Sequence, residues 1–216
     1  MARIIILGGH GKVAMLAHPL LVDDGHEVTA VVRDPDHVDE VSATGATALV
    51  GDIQQLDTDD LGNLIRAHDV VVFAAGAGGG DPDRTYAVDR DAAIRSIDAA
   101  VAEGVPRYVM VSYLGAGLDH GLAEDDDFYP YAQSKAEADA HLRDTDLAWT
   151  ILGPGALTTE EPTGRITVGG GERGEVSRGN VAEVIRGVLK GPEVAARATV
   201  ELVDGDTPIG EALAGV

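Results

Sequence analysis

Cysteine is absent from the 216-residue chain, and several kinds of chemistry go with it. Disulfides, thiolate nucleophiles and cysteine-held metals are all excluded. Basic residues are scarce as well: 16 Lys plus Arg stand against 37 Asp plus Glu, a formal net charge of −21. Lysine occurs only at Lys12, Lys135 and Lys190. A surface this acidic repels nucleic acid and anionic membranes, so neither is expected as a partner. No apolar run approaches the roughly 20 residues that span a bilayer. The first strand-like run starts at Arg3, leaving no room for a signal peptide. Residues 1–216 are expected to form one cytoplasmic domain, as monomer or homodimer, without a linker-like stretch. The acids are spread over nearly all helices and loops, a distribution that favours adaptation to a salt-rich, halophilic cytoplasm over a docking face for one basic partner. In a chain that discards lysine, each retained lysine is a stronger functional candidate.

The remaining pattern alternates strand and helix. Apolar strand-length runs fall at Arg3–Leu7, Glu27–Val32, Ala46–Val50, Val70–Ala74, Tyr108–Val111, Ala148–Leu152 and Thr199–Val203. Helical periodicity falls between them, at Lys12–Val22, Asp36–Ala43, Asp60–Ala67, Arg84–Glu103, Tyr131–Arg143 and Asn180–Leu189. Near-continuous apolar strands such as Val70-Val71-Val72-Phe73 imply a parallel sheet covered on both faces. The fold class is therefore α/β, a doubly wound, mostly parallel sheet of seven strands in the order 3-2-1-4-5-6-7. Ligands bind such sheets at the carboxyl ends of the strands. The glycine-rich, poorly periodic segment 153–178 lies beyond the sixth strand and is expected to face a substrate.

Residues Ile4 to Ala14 read as a strand, a glycine turn and the start of a helix, the unit that sets a pyrophosphate on helix N-terminal amides. Gly8 suits the tight turn, Gly11 lets the backbone approach phosphate, and Ala14 permits close helix–strand packing. His10, inside the turn, either touches phosphate or is a tolerated turn residue. The other histidines show no spacing with carboxylates that suggests a metal, and Asp125-Asp126-Asp127 reads as a solvated loop. Arg33 ends the second strand, where an NAD site usually carries an acid for the ribose hydroxyl. An arginine can instead pair with a 2′-phosphate. Asp34 would oppose that if it pointed inward. NADP is expected in preference to NAD, with Lys12 adding to a phosphate clamp. Tyr131 and Lys135 are four apart and share a helix face. The lysine is expected to lower the tyrosine pKa toward phenolate, and Ser112 to bond the substrate oxygen or the tyrosine.

These motifs resemble those of the atypical short-chain dehydrogenases/reductases, in the NAD(P)-binding epimerase/dehydratase-like subgroup. The resemblance runs through Gly8-x-x-Gly11-x-x-Ala14, Val31-Val32-Arg33-Asp34-Pro35, Gly51-Asp52, Ala74-Ala75-Gly76, Val111-Ser112, Tyr131-x-x-x-Lys135, Gly153-Pro154-Gly155, Ser177-Arg178-x-x-Val181-Ala182 and Gly205-Asp206-Thr207-Pro208-Ile209. It implies that Gly8, Gly9, His10, Gly11, Lys12 and Val13 hold the pyrophosphate, and that Arg33 meets the 2′-phosphate. Asp52 and Ile53 would contact adenine, and Ala74, Ala75 and Gly76 the ribose. Ser112, Tyr131 and Lys135 match the family's catalytic residues, and Pro154, Gly155 and Ala156 would flank the nicotinamide, with Tyr131 and Lys135 also touching the cofactor. Ala14 stands where fuller members have a third glycine, and Asp89 where they have a catalytic asparagine. The extended domain that recognises nucleotide-sugars has no counterpart, which argues against a literal sugar epimerase. The resulting expectation is an oxidoreductase for a small carbonyl or alcohol. A non-catalytic NADP sensor and a flavin- or tetrapyrrole-reducing enzyme are the alternatives.

Overall fold

The computed structural model describes residues 1–78, 81–169 and 173–216. In chain order the elements are β1 (Arg3–Leu7), α1 (Lys12–Asp23), β2 (Glu27–Val32), α2 (Val38–Ser42), β3 (Thr47–Val50), α3 (Thr58–Ile65), β4 (Val70–Phe73), α4 (Pro82–Thr85), α5 (Ala93–Ala102), β5 (Arg107–Val111), α6 (Tyr129–Arg143), β6 (Ala148–Pro154), β7 (Ala156–Thr158), β8 (Arg165–Val168), β9 (Glu175–Ser177), α7 (Arg178–Val188), β10 (Ala198–Asp204), β11 (Thr207–Pro208) and α8 (Ile209–Leu213).

The main sheet runs β11-β8-β10-β6-β5-β4-β1-β2-β3, parallel from β10 through β3. The expected doubly wound order is therefore present, with the order reversing beside β1. β1 shows why both faces must be covered. Ile4 and Ile6 enter one core with α1 and α7, while Ile5 and Leu7 enter the other with α3, α5 and α6. Successive strand side chains point to opposite faces, so an all-apolar strand needs a helix layer on each side.

Among the described residues the sheet has nine strands rather than the expected seven. β8 pairs antiparallel with β10 and with β11, extending the sheet beyond its parallel part. Both are short, lie in or near glycine- and proline-containing sequence, and show little of the apolar run that marked the others. A separate parallel pair, β7 and β9, folds over the end of β6. The long helix expected over 84–103 is also divided. Between α4 and α5, Tyr86–Ala92 is a π-helical stretch, a conformation frequently found at functional sites. The glycine-rich sequence after β4 runs on to Gly79 and Gly80, and the segment 153–178 includes residues 170–172; those five positions lie outside the described residues.

Arg107, at the start of β5, ties the sheet to what lies beyond it. Its guanidinium donates to the Ala148 carbonyl at 2.6 Å, Thr150 Oγ1 at 2.7 Å, and the Val194 and Val188 carbonyls at 3.1 and 3.2 Å. Among the described residues no helix is long and apolar enough to cross a membrane.

Candidate functional site

The carboxyl ends of β1, β2, β3 and β4 open onto a cleft enclosing a cavity of about 250 Å³. The glycine turn is its floor. Gly8 has φ +87°, and a Cβ there would lie 2.5 Å from the Ala75 Cα. The Gly11 N–H bonds the Gly8 carbonyl at 2.9 Å. Gly11 then caps α1 with no side-chain hydrogen bond and no acid in the first turn. An uncapped, acid-free helix start leaves N–H groups for an anion, which is the fit a pyrophosphate requires.

Gly8, His10 and Gly11 line the cavity, together with Arg33, Asp52, Ile53, Ala74, Ala75 and Gly76. Gly9 does not. Its N–H bonds the Val31 carbonyl at 2.8 Å, and a Cβ there would lie 2.6 Å from that of Ala30, so Gly9 clamps the turn to β2. Lys12 and Val13 are likewise off the lining: Val13 is buried in the core and Lys12 is exposed. What α1 offers a phosphate is first-turn backbone. Arg33 is exposed on the cavity rim and forms no ion pair among the described residues. Asp34 Oδ1 accepts the Asp36 N–H at 3.0 Å, capping the short turn Pro35–His37.

A second cavity, of about 390 Å³, lies between the end of β5, the start of α6, and the β7–β9 pair. Ser112 and Tyr131 both line it, as do Pro154, Gly155 and Ala156. Its walls are otherwise largely apolar or aromatic, with the exposed Arg173 as the one charged lining residue among those described. Tyr113, Phe128 and Tyr131 pack on one another with ring centroids 5.3–5.6 Å apart. A side chain at Gly155 would collide with the Gly174 carbonyl, so this glycine lets β9 close over the cavity.

Beneath Tyr131 lies a buried charge cluster. Tyr131, Lys135 and Asp139 recur at four-residue spacing, which sets all three on one face of α6. Lys135 is 2% exposed; its Nζ donates to the Val111 carbonyl at 3.0 Å and lies 3.5 Å from Asp89 Oδ1. Asp89, on the π-helical stretch, accepts the Ala77 N–H at 2.9 Å through its other oxygen. The Ser112 Oγ donates to Asp139 Oδ2 at 2.6 Å. Asp139 Oδ1 is buried without a hydrogen-bond partner among the described residues.

Two expectations are corrected here. Lys135 does not draw Tyr131 toward phenolate. Burial pushes the phenol above its ordinary range, and the carboxylates of Asp89 and Asp139 push it further. The lysine charge is balanced by Asp89, so the phenol does not see a bare cation. Ser112 donates to Asp139 rather than to the tyrosine, while still lining the cavity. Asp139 is the residue sequence reasoning missed. Its signal was its place four residues after Lys135, masked by the abundance of ordinary surface acids in this chain. Among the described residues, no group of three or more His, Asp or Glu is placed to hold a metal.

Residues 8–192 match the model of the NAD(P)H-binding family. The chain belongs to that family. It is 32% identical over 214 residues to a Bacillus subtilis protein named as an uncharacterized sugar epimerase, YhfK, with 98% of each chain covered. A solved structure from Bacillus halodurans, described as a candidate NAD-dependent epimerase/dehydratase, is 32% identical and superposes with a TM-score of 0.92 over 100% of both chains. The oxidoreductase ylbE from Lactococcus lactis is 25% identical, with a TM-score of 0.88 over 99% of this chain and 96% of that one.

Proposed function

We propose that this protein is an NADPH-dependent reductase for a small, largely apolar carbonyl compound. The observation that carries the reading is the shared cavity: Tyr131 and Ser112 open together onto a largely apolar space, with Arg173 on its wall, beside the cleft that fits a dinucleotide. A bound nicotinamide dinucleotide supplies a hydride. The chain's own part is to bind, orient and protonate. The α1 N-terminus and Arg33 hold the phosphates at one end. Largely apolar walls surround the carbonyl at the other. Because its phenol is held neutral, Tyr131 is set to donate the Oη proton to the oxygen that becomes an alcohol, which favours reduction over oxidation. Lys135 and Asp89 fix the helix face that carries Tyr131, and Ser112 marks the oxygen end of the cavity. The choice of NADP over NAD rests on Arg33, a cation without an ion pair among the described residues, where an acid would serve NAD. A small-molecule substrate, a cytoplasmic monomer or homodimer, and no nucleic-acid or membrane partner belong to the same reading, supported by the net charge of −21.

Tyr131→Phe tests the chemistry. It should leave the NADPH Kd nearly unchanged while lowering carbonyl turnover by roughly 10²–10⁴-fold. Arg33→Ala should weaken NADPH by about 1.5–3 kcal/mol and leave NADH alone. Undiminished reduction by the phenylalanine variant would instead support flavin- or tetrapyrrole-type reduction. Tight NADPH binding without turnover of any carbonyl would support a sensor.

A further inference from the structure

The chemistry above makes no use of the histidine pair on the adenosine side of the cleft. His10 rises from the glycine turn, and His37 ends the turn that follows β2. Their rings are stacked, with centroids 3.6 Å apart and planes 11° apart. The His10 Nε2 lies 2.8 Å from Glu40 Oε2, on α2. Both imidazoles line the same cavity as Arg33. The His10 side chain remains 31% exposed, so the pair is open to a ligand.

We infer that His37, stacked on His10, is a specificity-determining element of the 2′-phosphate site, and that the arriving phosphate draws a proton from solvent onto the pair. The inference rests on the NADP reading above. Two imidazolium rings in face-to-face contact repel each other, so a stacked pair resists holding two protons unless anions flank it. Glu40 flanks the His10 ring. A phosphate between Arg33 and His37 would flank the other.

The remaining charges around the pair do not substitute for it. Asp34 and Asp52 line the cavity, but each has an oxygen on a neighbouring backbone N–H, those of Asp36 and Gln54. Asp36 and Asp39 are exposed neighbours of His37, Arg84 stands on the cavity wall, and Lys12 is exposed at the head of α1. At pH 7.5 an imidazole in water is mostly neutral, whereas a phosphate monoester is mostly dianionic. The proton therefore moves from solvent to an imidazole nitrogen as the ion pair forms, and no other bond changes. A chain with so few cations gains a positive charge at the cofactor site only when that cofactor carries the extra phosphate.

Calorimetric titration of the whole protein with NADP⁺ and with NAD⁺, at pH 7.5 in buffers of different ionisation enthalpy, counts the protons. NADP⁺ should take up roughly half to one proton per site, and NAD⁺ close to none. His37→Asn should abolish the uptake and weaken NADP⁺ by about tenfold, while an unchanged thermal unfolding midpoint of the unliganded variant shows that it is folded. Arg33→Ala should weaken NADP⁺ yet keep the uptake. Tight NADP⁺ binding with no proton uptake, or uptake that survives His37→Asn, overturns the inference and leaves the NADP reading standing. Equal affinity for the two dinucleotides overturns the NADP reading, and this inference with it.

Discussion

Asp139→Asn perturbs the buried charge cluster at the point where its balance is most exposed to test. Asp139 is fully buried, its Oδ2 accepts from Ser112, and its Oδ1 has no partner among the described residues. Lys135 is already paired with Asp89, so the second carboxylate has no counter-ion of its own. Burial raises the carboxyl from 3.8 to about 6; the Ser112 hydrogen bond and the charges of Lys135 and Arg143 only partly offset it. Between those two values the folded chain holds a proton that the unfolded chain releases. Stability therefore falls as pH rises through the window, and above about pH 6 the full penalty persists. The difference corresponds to about 3 kcal/mol. Asparagine keeps the shape and an acceptor oxygen for Ser112 but carries no charge. The variant should be more stable than the parent at pH 8 by about 2–3 kcal/mol, some 4–12 °C in Tm for a chain of this size. The advantage should vanish near pH 4, where the parent carboxyl is protonated. Thermal unfolding of both proteins at pH 8, 6 and 4, at one fixed ionic strength, reads the difference directly. A variant less stable than the parent at pH 8, or a difference independent of pH, would refute the reasoning and show that the ionised carboxylate is stabilised by Lys135 despite its burial.

Three other outcomes are expected. His18 is fully buried and held down to about 4 by burial, so it folds neutral; its contribution is intact above pH 6.5 and is lost as pH falls toward 4. His18→Gln should flatten that acid limb by about 2–3 kcal/mol, measured by urea unfolding at pH 7 and 4.5. Arg107→Lys should lower stability by about 2–4 kcal/mol, because one ammonium cannot serve the four acceptors that the planar guanidinium reaches; denaturant midpoints check it. Molar KCl should raise Tm by screening the self-repulsion of a net charge of −21, and a flat or falling Tm would favour a basic partner over a saline cytoplasm.

The parallel part of the sheet was legible because burial on both faces leaves a strand nothing polar to show. Val70 to Phe73 can be little else. β8 and β11 were not legible for the opposite reason. Residues 165–168 alternate between exposed and buried, and the two residues of β11 include a proline, so neither presents an apolar run. The break in the helix over 84–103 was hidden because a π-helical stretch needs no change of composition. The glycine turn could be read, but not the separate duties within it. Gly8 and Gly9 are adjacent and chemically identical, yet one lines the cavity and the other bonds β2. Which amide faces a ligand depends on the chain packed behind it, here Ala30 and Ala75.

Lysine scarcity proved a good guide to place and a poor one to effect. Of Lys12 and Lys135, singled out for the same reason, one is exposed and the other 2% exposed beside the candidate proton donor. The spacing of Tyr131 and Lys135 on one helix face says that they are neighbours, and the ammonium does lie 6.0 Å from the centre of the tyrosine ring. Spacing cannot say what else surrounds them. Asp89 comes from a different element and cancels the lysine charge, and Asp139 adds a negative charge one helical turn further along. In a low-dielectric interior the sign of the local sum, not the nearest charge, decides which form of the phenol is favoured. Two carboxylates against one ammonium leave the sum negative while Asp139 is ionised and near zero once it is protonated. Either state keeps the proton on Tyr131, as a proton donor for carbonyl reduction requires.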